Sequence, residues 1–146
     1  MVAEKREVKI RRMDEADLSK VNEIAHVIFG KERVSTWLQA AEAHWKAHRP
    51  TLNFVAETNG ETIGFLLGGI RRARRMVPLI GWIDIMGVHP DYQRERVGQG
   101  LVQAFREECG RSSATVAVNI KKNDKLLRKF FSKLGFREGD SVIFER

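Results

Sequence analysis

The 146-residue chain has one cysteine, Cys109, three prolines and no long apolar run. A lone thiol cannot close an internal disulfide, which fits a reducing compartment. No stretch approaches the ~20 apolar residues of a membrane-spanning helix, so no membrane partner is expected. Met1–Arg12 is charged and lacks the apolar centre of a secretion signal, and a cytoplasmic location is the expectation. No Gly-Lys-Ser/Thr follows a glycine loop, and the Gly-x-Gly-x-x-Gly spacing is absent. His44 and His48 stand four apart, but no His-Glu-x-x-His pattern or neighbouring Cys supports them, so no metal is expected. RNP, KH and zinc-knuckle signatures are missing as well, which makes nucleic acid the less favoured partner. Acids are outnumbered, 19 against 26 lysines and arginines, giving a net charge of +7 and a pI near 9.9. That balance suits an anionic partner such as a phosphorylated cofactor or nucleic acid, or simply serves solubility.

The composition, 42% apolar and 31% charged, is ordinary for a globular protein. With no repeat and no linker, one domain over residues 1–146 is expected. Glu7 to Arg12 alternates and predicts a short strand. Asp14 caps a first helix, with Asp17 three residues on. Leu18, Val21, Ile24, Ala25 and Ile28 recur at helical spacing, and Gly30 stops the run. A second helix is expected after Ser35, carrying Leu38, Ala41 and Trp45, with Pro50 as its end. Trp37 and Trp45 on it read as packing residues. Leu52–Thr58 and Thr62–Ile70 read as strands joined by the hairpin signal Asn59-Gly60. A basic turn, Arg71 to Pro78, leads to a strand over Ile80–Val88.

Helix spacing then predicts Val97–Cys109, with Val97, Leu101, Phe105 and Cys109 on one stripe. Cys109 therefore reads as core and not as a nucleophile. Thr115–Val118 is a buried strand. A last helix carries Leu126, Leu127, Phe130, Phe131 and Leu134 inward, and Ser141–Phe144 is a closing strand. The order βααβββαβαβ gives a mixed α/β (α+β) fold, a central mixed sheet with helices on both faces. The strand–helix–strand unit around Val97–Cys109 is a parallel crossover, and a ligand is expected at the C-terminal ends of its strands.

Chemistry concentrates between Ile83 and Val102. A strand ending at Val88 runs into the polar loop His89-Pro90-Asp91-Tyr92-Gln93-Arg94-Glu95-Arg96 and then into a helix. Unpaired N–H groups and the helix dipole make such a junction an anion site. Arg94 and Arg96 add full charge, so the natural ligand is a phosphate or pyrophosphate. His89 in this loop reads as an exposed turn residue.

This segment resembles motif A of the Gcn5-related N-acetyltransferase (GNAT) family, where the loop holds the pyrophosphate of acetyl-coenzyme A. Gln93 and Gly98 match the family pattern, while Arg96 stands where the family has Gly. A right-handed backbone at Arg96 would tolerate that exchange, and its guanidinium could reach the phosphates. Asn123 to Phe136 resembles the family's last helix, which ends in Gly-Phe. Phe131 occupies the place of the family's Tyr, a proposed acid toward the departing thiolate. Either Asn123 or Asp124 matches the family's Asn at the head of that helix.

The resemblance covers nearly the whole chain and implies a GNAT-like sheet, acetyl-CoA as co-substrate and acetyl transfer to a primary amine. Such an amine could belong to a protein N-terminus, a lysine or a small molecule. Backbone groups at Met86 and Val88 are implied to bind the cofactor, with one polarising the thioester. Gln93, Arg94, Arg96, Val97, Gly98 and Gln99 would hold its phosphates, with Asn123 and Phe131 near its other end. Asp84 is the candidate base, with Glu32 a weaker one. A regular strand would put Asp84 on the face of Val88, although a bulge would flip that parity. The cluster Arg71, Arg72, Arg74, Arg75 is either a solvated hairpin or a contact for an acidic substrate or RNA. A cofactor-binding module without catalysis and a basic RNA-binding domain stay open as rival functions, and a homodimer stays open as an assembly.

Overall fold

The computed structural model describes residues 7–30, 51–72, 78–93, 96–140, 142 and 144–146. The expected helix after Ser35 lies outside them, as do Glu32, Trp37, His44, Trp45, His48, Arg74, Arg75 and Arg94. Within them the chain forms β1 (Lys9–Arg12), α1 (Leu18–Phe29), β2 (Thr51–Thr58), β3 (Glu61–Arg71) and β4 (Ile80–Val88). Then follow α2 (Val97–Arg111), β5 (Thr115–Val118) and α3 (Lys125–Lys133). The strands lie in the order β1-β2-β3-β4-β5. Neighbours from β1 to β4 are antiparallel, and β4 and β5 are parallel. This is the expected mixed sheet.

Alternation within the strands splits the apolar residues between two faces. Leu52, Phe54, Ala56, Ile63, Leu66 and Ile83 pack with Val97, Leu101, Val102, Phe105 and Cys109 of α2 and with Phe131. Val55, Phe65 and Leu67 face the other way, against Met13 and against Val21, Ile24 and Ala25 of α1. The helical spacings therefore bury the stripes they mark. Asn59 and Gly60 take φ of 51° and 77°, the positive values that a two-residue hairpin of the primed type requires. Gly30 ends α1 at φ 85°. Cys109 is fully buried, and burial pushes its thiol pKa up to about 11, so it is core as expected.

Two expectations near the C-terminus fail. Leu126 is exposed, because it stands about 100° of helix rotation away from the line through Leu127, Phe131 and Leu134. Val142 and Phe144 are exposed and belong to no strand, while Ser141 and Ile143 lie outside the described residues.

Candidate active site

Register creates the site. β3 and β4 pair regularly until Leu67 meets Ile85, and the next pair is Gly68 with Ile83. Asp84 is thus the extra residue of a β-bulge. Ile83 lies on the α2 face with Phe105, while Ile85 packs toward α1. Met86 and Val88 return to the α2 face. The bulge shifts the alternation by one, so Asp84 points to the α1 side and not to the face of Val88. The regular-strand expectation is corrected by this one inserted residue.

A buried polar residue supports the bulge. Asn53, in the apolar run of β2, accepts the Gly68 N–H with its Oδ1 at 3.1 Å. Sequence reading overlooked it, although a lone Asn inside Leu52 to Ala56 was the available signal, since a buried amide must find partners. Asp84 itself is held. Arg71, at the end of β3, donates to its two carboxylate oxygens at 3.0 and 2.5 Å. Both side chains remain partly open to solvent, Arg71 by 41% and Asp84 by 33%.

At the same level β4 loses its other neighbour. Its ladder with β5 ends at the pair Ile83–Val118, yet β4 runs on to Val88. Those five residues, about 16 Å of strand at the usual rise, present an edge that β5 does not cover. The edge leads to the loop before α2. Pro90–Tyr92 forms a short 3-10 turn, with His89 Nδ1 accepting the Asp91 N–H at 3.2 Å. His89 is therefore half-buried and bonded, more tied down than the exposed residue expected. The Gln93 amide donates to the Val88 carbonyl at 3.2 Å, tying the loop back to the strand end.

Arg96 begins α2 at φ 59° and ψ 25°, in the left-handed region, and no side chain caps the helix there. The right-handed backbone under which a non-glycine residue would be tolerated there is thus not the one adopted. The position has the conformation for which glycine is suited, and Arg96 adopts it at an energetic cost. Its carbonyl accepts the Gly100 N–H at 3.1 Å, the first bond of the helix ladder. The N–H groups of Val97, Gly98 and Gln99 precede that ladder and point out of the helix end. Val97 is buried, while Arg96 and Gln99 are exposed.

α3 closes over this end. A β-carbon on Gly98 would meet the Phe130 ring at 3.2 Å and the Met86 methyl at 3.6 Å. Phe131, by contrast, is 2% exposed, with its ring edge-on to Phe130 and Phe136 at 5.0 and 5.1 Å. The half-buried ring that α3 turns toward the α2 terminus is thus Phe130, one residue before the position singled out from sequence. Asp124 heads α3, its Oδ1 accepting the Leu127 N–H at 3.0 Å, and Asn123 stands exposed just before it. Asp124 thus takes the capping place of this helix.

The arrangement offers a helix terminus without a side-chain cap, a strand edge leading away from it that β5 does not cover, and a bulge with a carboxylate at the far end of that edge. No group of three or more potential metal ligands occurs among the described residues.

Comparison with known proteins gives the same reading. The acetyltransferase (GNAT) domain model matches residues 49–138, which span β2 to the end of α3 and beyond. An acetyltransferase of Sodalis glossinidius (strain morsitans) is 27% identical over 97 residues, covering 66% of this chain and 64% of that protein. The match thus spans a little under two thirds of the relative's length. The aminoglycoside N-acetyltransferase AAC(6')-Iy, solved in complex with CoA, superposes with a TM-score of 0.83. It shares 21% identity, with 100% of this chain and 98% of that chain covered. The aminoglycoside 6'-N-acetyltransferase AAC(6')-IG from Acinetobacter haemolyticus gives a TM-score of 0.78 at 19% identity, over 94% and 97% of the two chains. At such identities these two structures speak for the fold. With most of the chain matched by the domain model, the chain belongs to the GNAT family of acetyltransferases.

Proposed function

We propose that this protein transfers an acetyl group from acetyl-CoA to a primary amine by direct attack, without an acyl-enzyme. The observation that carries the reading is the uncovered edge of β4 from Asp84 to Val88, which ends at the uncapped start of α2. A pyrophosphate suits that start: the N–H groups of Val97, Gly98 and Gln99 face it, and Arg96 supplies charge beside it. The cofactor's amide-bearing arm suits the strand edge, where Met86 and Val88 offer backbone partners. Gln93 contributes by fixing the loop to Val88.

In the reaction the neutral amine nitrogen attacks the thioester carbon, a C–N bond forms, the C–S bond breaks, sulfur leaves as thiolate, and the second nitrogen proton passes to solvent or to the departed thiolate. The amine must first lose a proton, since a lysine-type amine has a pKa of ~10.4. Asp84, at the closed end of the gap, is the candidate acceptor of that proton, directly or through water. A backbone N–H of β4 is suited to the carbonyl oxygen as charge develops on it. An ordinary thiol has a pKa near ~8.5, so the thiolate can depart without an acid, and a buried Phe131 does not oppose turnover.

The test is direct. Acetyl-CoA should raise the melting temperature, by the equivalent of ~2.7 kcal/mol at ~100 times its dissociation constant. Thiol release should then follow addition of an amine panel. No thermal shift at millimolar acetyl-CoA would reject the cofactor site, whereas a shift without thiol release on any amine would leave a binding module.

A further inference from the structure

Resting on the acetyltransferase reading, we propose that Arg71 is a positioning residue for the transfer step. It holds the Asp84 carboxylate in one orientation where β4 parts from β5, so that the amine, or the water that takes its proton, meets a fixed acceptor. Asp84 is the first residue of β4 beyond its ladder with β5. It is also the bulged residue, so β3 offers it no residue directly opposite, and the register alone does not fix its side chain. The Asn53 bond to Gly68 secures the backbone on the β3 side of the bulge. The carboxylate is secured by Arg71: among the described residues no other hydrogen-bond donor reaches it.

Register explains how Arg71 reaches it. Leu67 packs toward α1, and alternation along β3 puts Gly69 and Arg71 on that same face. Arg71 pairs with Ile80, whereas Asp84 stands beyond the pair Gly68–Ile83. The two side chains therefore start about three residues apart along the sheet, ~10 Å at the usual rise. A long side chain is needed to cross that distance, and Gly69 places none in its way. The contact is a fork, with one guanidinium nitrogen on each carboxylate oxygen. A fork fixes the rotation of the carboxylate plane, which a point charge does not. It also leaves the carboxylate usable. A carboxylate has about four lone-pair sites and the fork takes two. Asp84 is 33% exposed, so an amine or a water has access to the others. A partly exposed ion pair adds little to stability, so the consequence of this geometry lies with the site and not with the fold.

The experiment uses the full chain, acetyl-CoA and an amine panel, with thiol release as the readout. The parent is compared with Arg71→Gln, Arg71→Lys, Asp84→Asn and the double variant Arg71→Gln/Asp84→Asn. Arg71→Gln should lower kcat about tenfold, short of the ~10²-fold that misplacing a reacting group can cost. The KM for acetyl-CoA and the melting temperature should stay nearly unchanged, a split that a merely structural clamp would not give. Arg71→Lys should recover part of the rate, because it restores a donor but not the fork. With Asp84→Asn already in place, Arg71→Gln should cost nothing more, since a residue that acts through Asp84 has nothing left to position. An unchanged kcat in Arg71→Gln, full activity of Asp84→Asn, or an equal loss with and without Asp84 would each overturn the proposal. So would a fall in melting temperature and acetyl-CoA affinity alongside kcat. Where Asp84→Asn has no measurable rate, the split between kcat, KM and melting temperature in Arg71→Gln decides. If the parent releases no thiol with any amine, the acetyltransferase reading falls and the proposal with it, whereas turnover indifferent to Arg71 removes the proposal alone.

Discussion

Asn53 and Gly68 meet inside the sheet, side-chain oxygen to backbone N–H at 3.1 Å, at the step where the β3–β4 register slips. The bond fixes the bulge from the β2 side and so fixes where Asp84 points. Asn53→Leu fills the space but leaves the Gly68 N–H without this partner. Leaving a buried donor unmade costs ~1–3 kcal/mol. Denaturant unfolding should show that loss, and acetyl transfer should fall more than acetyl-CoA affinity, because the proposed phosphate site lies at the other end of β4. Unchanged stability would show that the bulge does not depend on Asn53.

Arg96→Gly should separate folding from binding, with opposite signs. Glycine relieves the left-handed backbone at φ 59°, which costs a non-glycine residue roughly 1 kcal/mol. The same change removes a guanidinium from the proposed phosphate site, worth ~1.5–3 kcal/mol if it makes a charge-assisted contact. Chemical denaturation should show a more stable protein, and calorimetry a CoA affinity lower by about tenfold or more. Equal affinity would mean that the arginine side chain does not reach the ligand.

Phe131→Tyr tests whether α3 presents a polar or a sealed surface at this position. The ring is 2% exposed and stands edge-on to two other aromatic rings, so the added hydroxyl enters an apolar cluster. A loss of ~1–3 kcal/mol is expected, read as a lower melting temperature. Phe130→Ala should instead weaken acetyl-CoA binding, since that ring borders Gly98 and the start of α2. A Tyr variant with full stability and faster thiol release would place the sulfur end of the cofactor at Phe131 after all.

Asp17 ties stability to pH. Its bidentate bond to Arg11 holds its pKa below the usual carboxylate value, and the Asp14 N–H, donating at 2.7 Å, acts in the same direction. A depressed carboxylate stabilises the fold above its unfolded pKa of ~3.9, and that contribution is lost as pH falls through the folded value. Asp17→Asn should therefore be less stable than the parent at pH 7, by ~1.5–3 kcal/mol. The difference should shrink when unfolding is measured below about pH 4. A constant difference across that range would mean that the ion pair is not its source.

The sequence by itself determined the elements and their order, wherever a local rule was strong. The two-residue signal Asn59-Gly60 placed the hairpin, and helical spacing marked the buried stripes of α1 and α2. These features depend on neighbours in the chain, so they are legible along it. Only the tertiary structure decided the rest. Asp84 changed face because one residue of β4 is left over against β3, and a register slip is a relation between two strands that no single strand encodes. Arg96 took a left-handed backbone at the start of α2, a conformation that its residue type does not favour. Phe130 and Phe131 are adjacent and chemically identical. Their division into a ring beside Gly98 at the start of α2 and a ring in the core follows from how α3 is rolled against α2. That rotation is set by packing, and periodicity reports it only to within a residue.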